Sequence, residues 1–160
     1  MKINIGCNKW KLEGFVNVDI REEHDPDVVS DATAYLKTLE PASVSFIYAG
    51  HFLEHLTRDE ARAFLREARR VLHEDGKIQI TVPDATTSIK LFKAGKLDYK
   101  TMNGAIFGSL TNEHEAHKQV FDAELLTSLC KEYFGKAKRV KKSPYWVAGV
   151  PWQICYEFEK

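Results

Sequence analysis

KINIGCNKWKLEGFVNVDI, residues 2–20, decides the fold. Ile3 and Ile5 alternate with Lys2 and Asn4, and Gly6 ends the run, which reads as a strand entering a tight turn. Phe15, Val16, Val18 and Ile20 form a second apolar run with Asp19 near its end. A glycine after one strand and an acid at the tip of the next suit a nucleoside-bearing ligand. The glycine lets the backbone approach it, and the carboxylate accepts hydrogen bonds from ribose hydroxyls. A single glycine after a strand is also an ordinary turn.

Working outward, REEHDPD (21–27) is a polar loop, and DVVSDA (27–32) is a short strand ending near Asp31. Ala34 to Leu39 reads as a short helix stopping before Pro41, and SVSFIYAG (43–50) as a buried strand ending at Gly50. Thr57 to Leu72 is the clearest helix. Thr57 and Glu60 make a capping box, and Ala61, Phe64, Leu65, Ala68, Val71 and Leu72 share one face. Asp75-Gly76 is a turn, Lys77 to Val82 a strand closed by Pro83-Asp84. Ser88 to Leu97 reads as a helix. Asp98 to Gln119, with Asn103, Gly104 and Gly108, has no clean period and is expected to form a lid. Asp122 to Phe134 is a helix ending at Gly135, and Lys136–Lys142 and Gln153–Phe158 are strands able to pair antiparallel. This alternation predicts one α/β domain, 1–160, with a mostly parallel sheet.

At 160 residues a single domain buries roughly 70% of its unfolded surface. Lysine plus arginine equals aspartate plus glutamate, 23 each, so no global field favours nucleic acid or an acidic membrane. The three cysteines, Cys7, Cys130 and Cys155, are scattered without a CxxC pair, so neither a disulfide framework nor a metal site is expected. There is no run of about 18 apolar residues and no signal peptide. A cytoplasmic location is the expectation, and oligomeric state is left open.

The order of elements resembles the class I S-adenosylmethionine-dependent methyltransferases, most closely a short-chain subfamily of the methyltransferase type 11 kind. INIGCN (3–8) resembles the motif that wraps the methionine part of the cofactor, VNVDI (16–20) the strand whose acid holds the ribose, and SDA (30–32) the segment whose acid faces the adenine amine. AGHFLEHL (49–56) is similar to the segment after the fourth strand, and LREARRVLHEDGKIQITVPD (65–84) to the helix, turn and fifth strand. HKQVFDAELLTSL (117–129) is similar to the end of short members. The resemblance implies a Rossmann-like sandwich with an antiparallel C-terminal strand, S-adenosylmethionine as cofactor, and transfer of its methyl group to a small-molecule acceptor of sugar or natural-product type. The implied cofactor residues are Asn4, Gly6, Cys7, Asn8, Asp19, Ile20, Asp31, Ala32, Gly50 and His51. His51, His114 and His117 are the candidates for a general base, because imidazole titrates near neutrality. Glu54-His55 sits at the subfamily's EH pair, where the histidine props the loop or acts as base. Trp10, Tyr145, Trp146 and Trp152 are read as an apolar substrate wall or as packing.

Two departures stand out. Asn4 replaces the usual acid before the turn, and Asn8 its second glycine. Only Cys7 to Gly14 separates the first strands, so the first crossover helix must shrink to a turn or so. The acid missing at Asn4 and the short crossover motivate a rival reading, a catalytically silent binding or regulatory domain; an S-adenosylmethionine-consuming lyase is a third reading.

Overall fold

The computed structural model describes residues 1–111, 114–141 and 151–160. Seven strands form one sheet in the order β3-β2-β1-β4-β5-β7-β6. They are β1 (Lys2–Ile5), β2 (Val16–Asp19), β3 (Val28–Val29), β4 (Val44–Gly50), β5 (Leu72–Pro83), β6 (Ala137–Arg139) and β7 (Gln153–Glu159). β1 to β5 run parallel, while β7 runs antiparallel to both β5 and β6. This is the mostly parallel sheet with a reversed C-terminal strand that the sequence reading expects.

Central parallel strands are covered on both faces, so their apolar residues run nearly unbroken. Ile3, Ile5, Val18, Ile47, Ala49, Ile78 and Ile80 are all fully buried. Helix α2 (Arg58–Val71) lays Ala61, Phe64, Leu65, Ala68 and Val71 on this core, and the Thr57/Glu60 capping box closes its first turn in both directions. Removing Phe64 from such packing costs about 3–5 kcal/mol. The Asp75-Gly76 turn lies inside β5, where the pairing to β4 jumps from Val44↔Leu72 to Phe46↔Lys77.

Several boundaries differ from the sequence reading, and caps explain them. Asp31 accepts from Ala34 N, so α1 begins earlier, at Ala32–Lys37. Asp84 accepts from Thr87 N and from its hydroxyl, which starts α3 at Ala85–Lys93. Asp98 caps a helix that the sequence reading missed, α4 (Tyr99–Phe107). The stretch expected to be irregular is therefore half helical. α5 (Ala123–Cys130) starts from the Asp122 cap. The expected wall residues Tyr145 and Trp146, and Lys142 at the end of the expected strand Lys136–Lys142, lie outside the described residues. Among the described residues no helix is long and apolar enough to cross a membrane.

The first crossover holds no helix at all. β1 passes to β2 through turns alone. Side-chain amides replace the missing helix: Asn4 Nδ2 donates to Trp10 O (3.1 Å) and to Asn17 Oδ1 (2.9 Å). Asn17 Oδ1 also accepts from Leu12 N, and its Nδ2 donates to Asp27 Oδ2 at 2.7 Å. Lys11 Nζ closes the ladder 2.9 Å from Asp27 Oδ1. These hydrogen bonds from Lys11 and Asn17 pull the Asp27 carboxyl down to a pKa of about 2. An acid at position 4 could not donate to Trp10 O and Asn17 Oδ1. The amide at Asn4 is thus what this short crossover requires.

Candidate functional site

β1 and β4 are neighbours whose onward connections leave in opposite directions, and ligands of open α/β sheets bind at the strand ends of such a switch point. A cavity of about 440 Å³ lies there, lined at one end by Gly6, Asn8, Asp19 and Asp31 and at the other by His51, His55 and His114. Small-ligand sites run from about 300 to 1,000 Å³.

The turn after β1 is built for close approach. Gly6 has φ +62°, and a Cβ there would sit 2.9 Å from the Phe52 ring. Asn8 continues the bend at φ +47°, a conformation that asparagine tolerates better than most residues. The bend is closed by Asp19. Its Oδ2 accepts from Asn8 N at 2.7 Å and its Oδ1 from Arg21 N at 2.9 Å. A carboxylate has about four lone-pair positions, so this one keeps capacity for hydroxyl donors. His24 Nδ1 stands 3.4 Å from Asp19 Oδ1. Cys7 is buried, and burial together with Asp19 and Asp27 pushes its thiol to a pKa of about 11, which leaves it inert. Asp31 spends Oδ1 on the α1 cap while lining the cavity beside Ala32. Asn4 and Ile20 line it too.

The opposite end begins with a strained residue. His51 has φ +51° and donates its backbone N–H to Thr81 O at 2.8 Å. Gly50 before it has room for no side chain, because a Cβ would collide with the Tyr48 hydroxyl. His51 Nε2 faces Gln153 Oε1 at 3.1 Å, and Nδ1 faces Glu54 Oε1 at 3.3 Å. Burial lowers the pKa of this ring, but the two acceptors outweigh burial and raise it overall. Glu54 is 1% exposed. Burial pushes its carboxyl up, yet His51 and His55 hold it below the usual range. His55 Nδ1 donates to Ala116 O at 3.2 Å.

His117 packs edge-on against His55, with ring centroids 4.9 Å apart. Burial lowers its pKa, with Glu54 opposing. The two rings meet because Ala116 to Gln119 is tied down: His117 N donates to Phe107 O, and Lys118 N and Gln119 N donate to Glu54 O. His114 is exposed at the cavity rim, and Glu115 reaches across to Arg21 at 2.7 Å. His117 itself is not on the cavity wall. Trp10 lines the cavity, and Trp152 stacks edge-on to His51.

The structure thus gathers the sequence candidates Asn4, Gly6, Cys7, Asn8, Asp19, Ile20, Asp31, Ala32, Gly50, His51 and His114 around one space. Arg21, Phe52, Glu60, Glu115 and Lys118 join them without having been picked from sequence. Their signal lies in long-range pairing, such as Lys118 with Glu60 at 3.3 Å, which no local pattern carries.

Residues 13–80 match the family model described as a methyltransferase domain. No curated protein matches the chain. Among solved structures, a SAM-dependent methyltransferase from Archaeoglobus fulgidus shares 20% identity at a TM-score of 0.69, covering 99% of this chain and 85% of that one. One from Thermotoga maritima, described as a possible histamine N-methyltransferase, shares 16% at 0.63, covering 99% and 81%. The 1,6-didemethyltoxoflavin-N1-methyltransferase of Burkholderia thailandensis, solved with 1,6-didemethyltoxoflavin and S-adenosylhomocysteine, shares 12% at 0.61, covering 99% and 70%.

Proposed function

With a class I S-adenosylmethionine-dependent methyltransferase as the premise, we propose that this chain methylates a small-molecule acceptor seated at the His51–His55 end of the cavity. The observation that carries this reading is the single cavity joining Gly6, Asp19 and Asp31 to His51. Its volume and the space that Gly6 keeps clear against Phe52 fit the cofactor. Asp19 would take the ribose hydroxyls, Asp31 the adenine amine, and the backbone from Gly6 to Asn8 the amino-acid part. When bound, S-adenosylmethionine supplies an electrophilic methyl group and leaves as S-adenosylhomocysteine.

The chain's own residues then have three tasks. Gly6, Gly50 and Phe52 shape the wall and fix the approach direction, since alignment supplies much of the rate in such displacements. The Ala116–Gln119 segment excludes water from the far end, and the Arg21–Glu115 pair closes the rim beside Asp19. Proton removal, where the acceptor needs it, falls to the histidines. His51 is ill placed to take a proton, because both of its ring nitrogens face acceptors that favour its protonated form. His117, kept unprotonated by burial, is the better choice, reaching the acceptor when the rim closes.

Calorimetry with S-adenosylhomocysteine tests the reading. Micromolar binding is expected, weakened by changes at Asp19. Absence of binding at millimolar ligand would transfer support to the silent-domain alternative. Release of methylthioadenosine in place of S-adenosylhomocysteine would support the lyase alternative.

A further inference from the structure

Glu54 is the most deeply buried charge in the described structure, and its ion-pair partner His51 meets only one of its oxygens. Oε1 lies at ion-pair distance from His51, without hydrogen-bond alignment, and Oε2 has no hydrogen-bond partner. A buried carboxylate oxygen left without a partner is costly. Beyond His51, two further imidazoles approach this carboxylate. One ligand atom from each of Glu54, His55 and His117 lies within 4.8 Å of the other two.

One ring is oriented from behind, and the other is placed by its main chain. His55 Nδ1 donates to Ala116 O, so Nε2 is the atom left for a ligand. His117 N donates to Phe107 O at the end of α4, which sets its ring edge-on to His55. A second nitrogen tied to a backbone carbonyl is the arrangement that fixes metal-binding histidines. Gly108 makes the approach of the two chain segments possible, because a Cβ there would collide with Glu115 O and press on the His117 ring. The sequence reading expected no metal. Its three ligands come from a 3-10 turn after β4 and from a loop 62 positions later, which the fold alone unites.

We propose that Glu54, His55 and His117 bind a divalent first-row transition ion, in a set of two imidazoles and one carboxylate that opens onto the cavity at His55. Two nitrogen ligands argue against magnesium and calcium, which prefer all-oxygen sites. Bonds of about 2.0–2.2 Å would draw the three side chains slightly inward from their present spacing. His51 then serves as the outer partner that aims Glu54.

The ion's task rests on the methyltransferase reading, while its binding does not. At the open side it would take a hydroxyl oxygen of the acceptor and lower that hydroxyl's pKa, replacing His117 as the agent of proton removal, and the proton leaves to solvent at the His114 rim. The oxygen then attacks the methyl carbon, the C–O bond forms as the C–S bond breaks, and the sulfur keeps the electron pair. The acceptor class this implies is a molecule with an oxygen ligand at the methylated position.

The test is titration of the chelator-treated protein with Co2+, read by visible absorption, and with Zn2+, read by calorimetry. One equivalent of each is expected to bind. His55→Gln and His117→Gln should each weaken it at least about tenfold, with S-adenosylhomocysteine affinity unchanged in His117→Gln. Glu54→Gln should do the same, and if it does not fold, the two histidine variants and the wild-type stoichiometry still decide. No stoichiometric ion, or wild-type affinity in both histidine variants, overturns the site. Zn2+ binding without S-adenosylhomocysteine binding keeps the ion and removes its task. S-adenosylhomocysteine binding without the ion removes only this inference.

Discussion

The two ends of the cavity are held by different physics. At the end proposed for the nucleoside, Gly6, Asp19 and Asp31 sit at or just past the tips of β1, β2 and β3, and each position follows from a strand that the parallel ladder fixes. At the other end, His51 sits in a left-handed kink, and Glu54, His55 and His117 are held by main-chain bonds between a short 3-10 turn and a loop. The difference teaches that a sheet edge writes its site into local sequence, whereas a loop-on-loop site exists only after folding.

Changes at the loop-built end should have the largest effects on turnover and the smallest on cofactor affinity. His117→Ala is expected to lower kcat by about 10² or more, with S-adenosylhomocysteine affinity near wild type. Steady-state kinetics beside calorimetry check this, and an equal loss of both would show that the two ends are one unit.

The strand-built end should respond in the opposite way. Asp19→Ala should weaken S-adenosylmethionine binding at least about tenfold, since each lost charge-assisted hydrogen bond is worth roughly 1.5–3 kcal/mol. It should also lower stability, because Asn8 N and Arg21 N lose their acceptor. Titration and thermal melts separate the two losses. Unchanged affinity would remove Asp19 from the ribose.

Asn4→Asp sharpens the contrast. It introduces the acid that the sequence resemblance leads one to expect there but strips Trp10 O and Asn17 Oδ1 of a donor. A loss of about 1–3 kcal/mol is expected in urea unfolding. A variant as stable as wild type would mean that the crossover does not depend on its amides.

Smaller still is the acid limb of stability. The Asp27 pKa is depressed in the folded chain to about 2. Its contribution is therefore present above the unfolded value of about 3.9 and is lost as pH falls toward 2. The group is exposed at the surface, so solvent screening keeps the effect below about 1 kcal/mol. Asp27→Asn should flatten the melting temperature between about pH 4 and 2. An unchanged slope there would assign the acid limb to other carboxylates. His51 carries the opposite sign. Its pKa is raised, so its share of stability is full below about 6.5 and fades as pH climbs through the higher folded value.

The mostly parallel sheet with its antiparallel C-terminal strand was legible in the sequence, and so were the strand-end residues that line the cavity. Apolar runs ending in Gly6, Asp19 and Gly50 carry both strand and site in one pattern. Helix α4 was not, because Asn103 and Gly104 are weak helix formers and its apolar face is sparse. The Asp98 cap three residues before Thr101 was the available signal. The burial of Glu54 had none. Glutamate is usually exposed, and here it is buried by groups distant in sequence, among them Lys118 and Gln119, docked on its carbonyl, and His117.

The helix-free crossover between β1 and β2 has one more consequence. A helix starting after Gly6 would have aimed the positive end of its macrodipole at an anion beside the turn, an effect of about 0.3–1 kcal/mol. Here turns take its place, and Asn8 N is spent on Asp19. The amino-acid half of the ligand should therefore contribute little binding energy per atom, with adenosine carrying most of it. The ratio of dissociation constants for methylthioadenosine and S-adenosylhomocysteine measures that distribution, and a value close to one would make this chain a reader of nucleosides first.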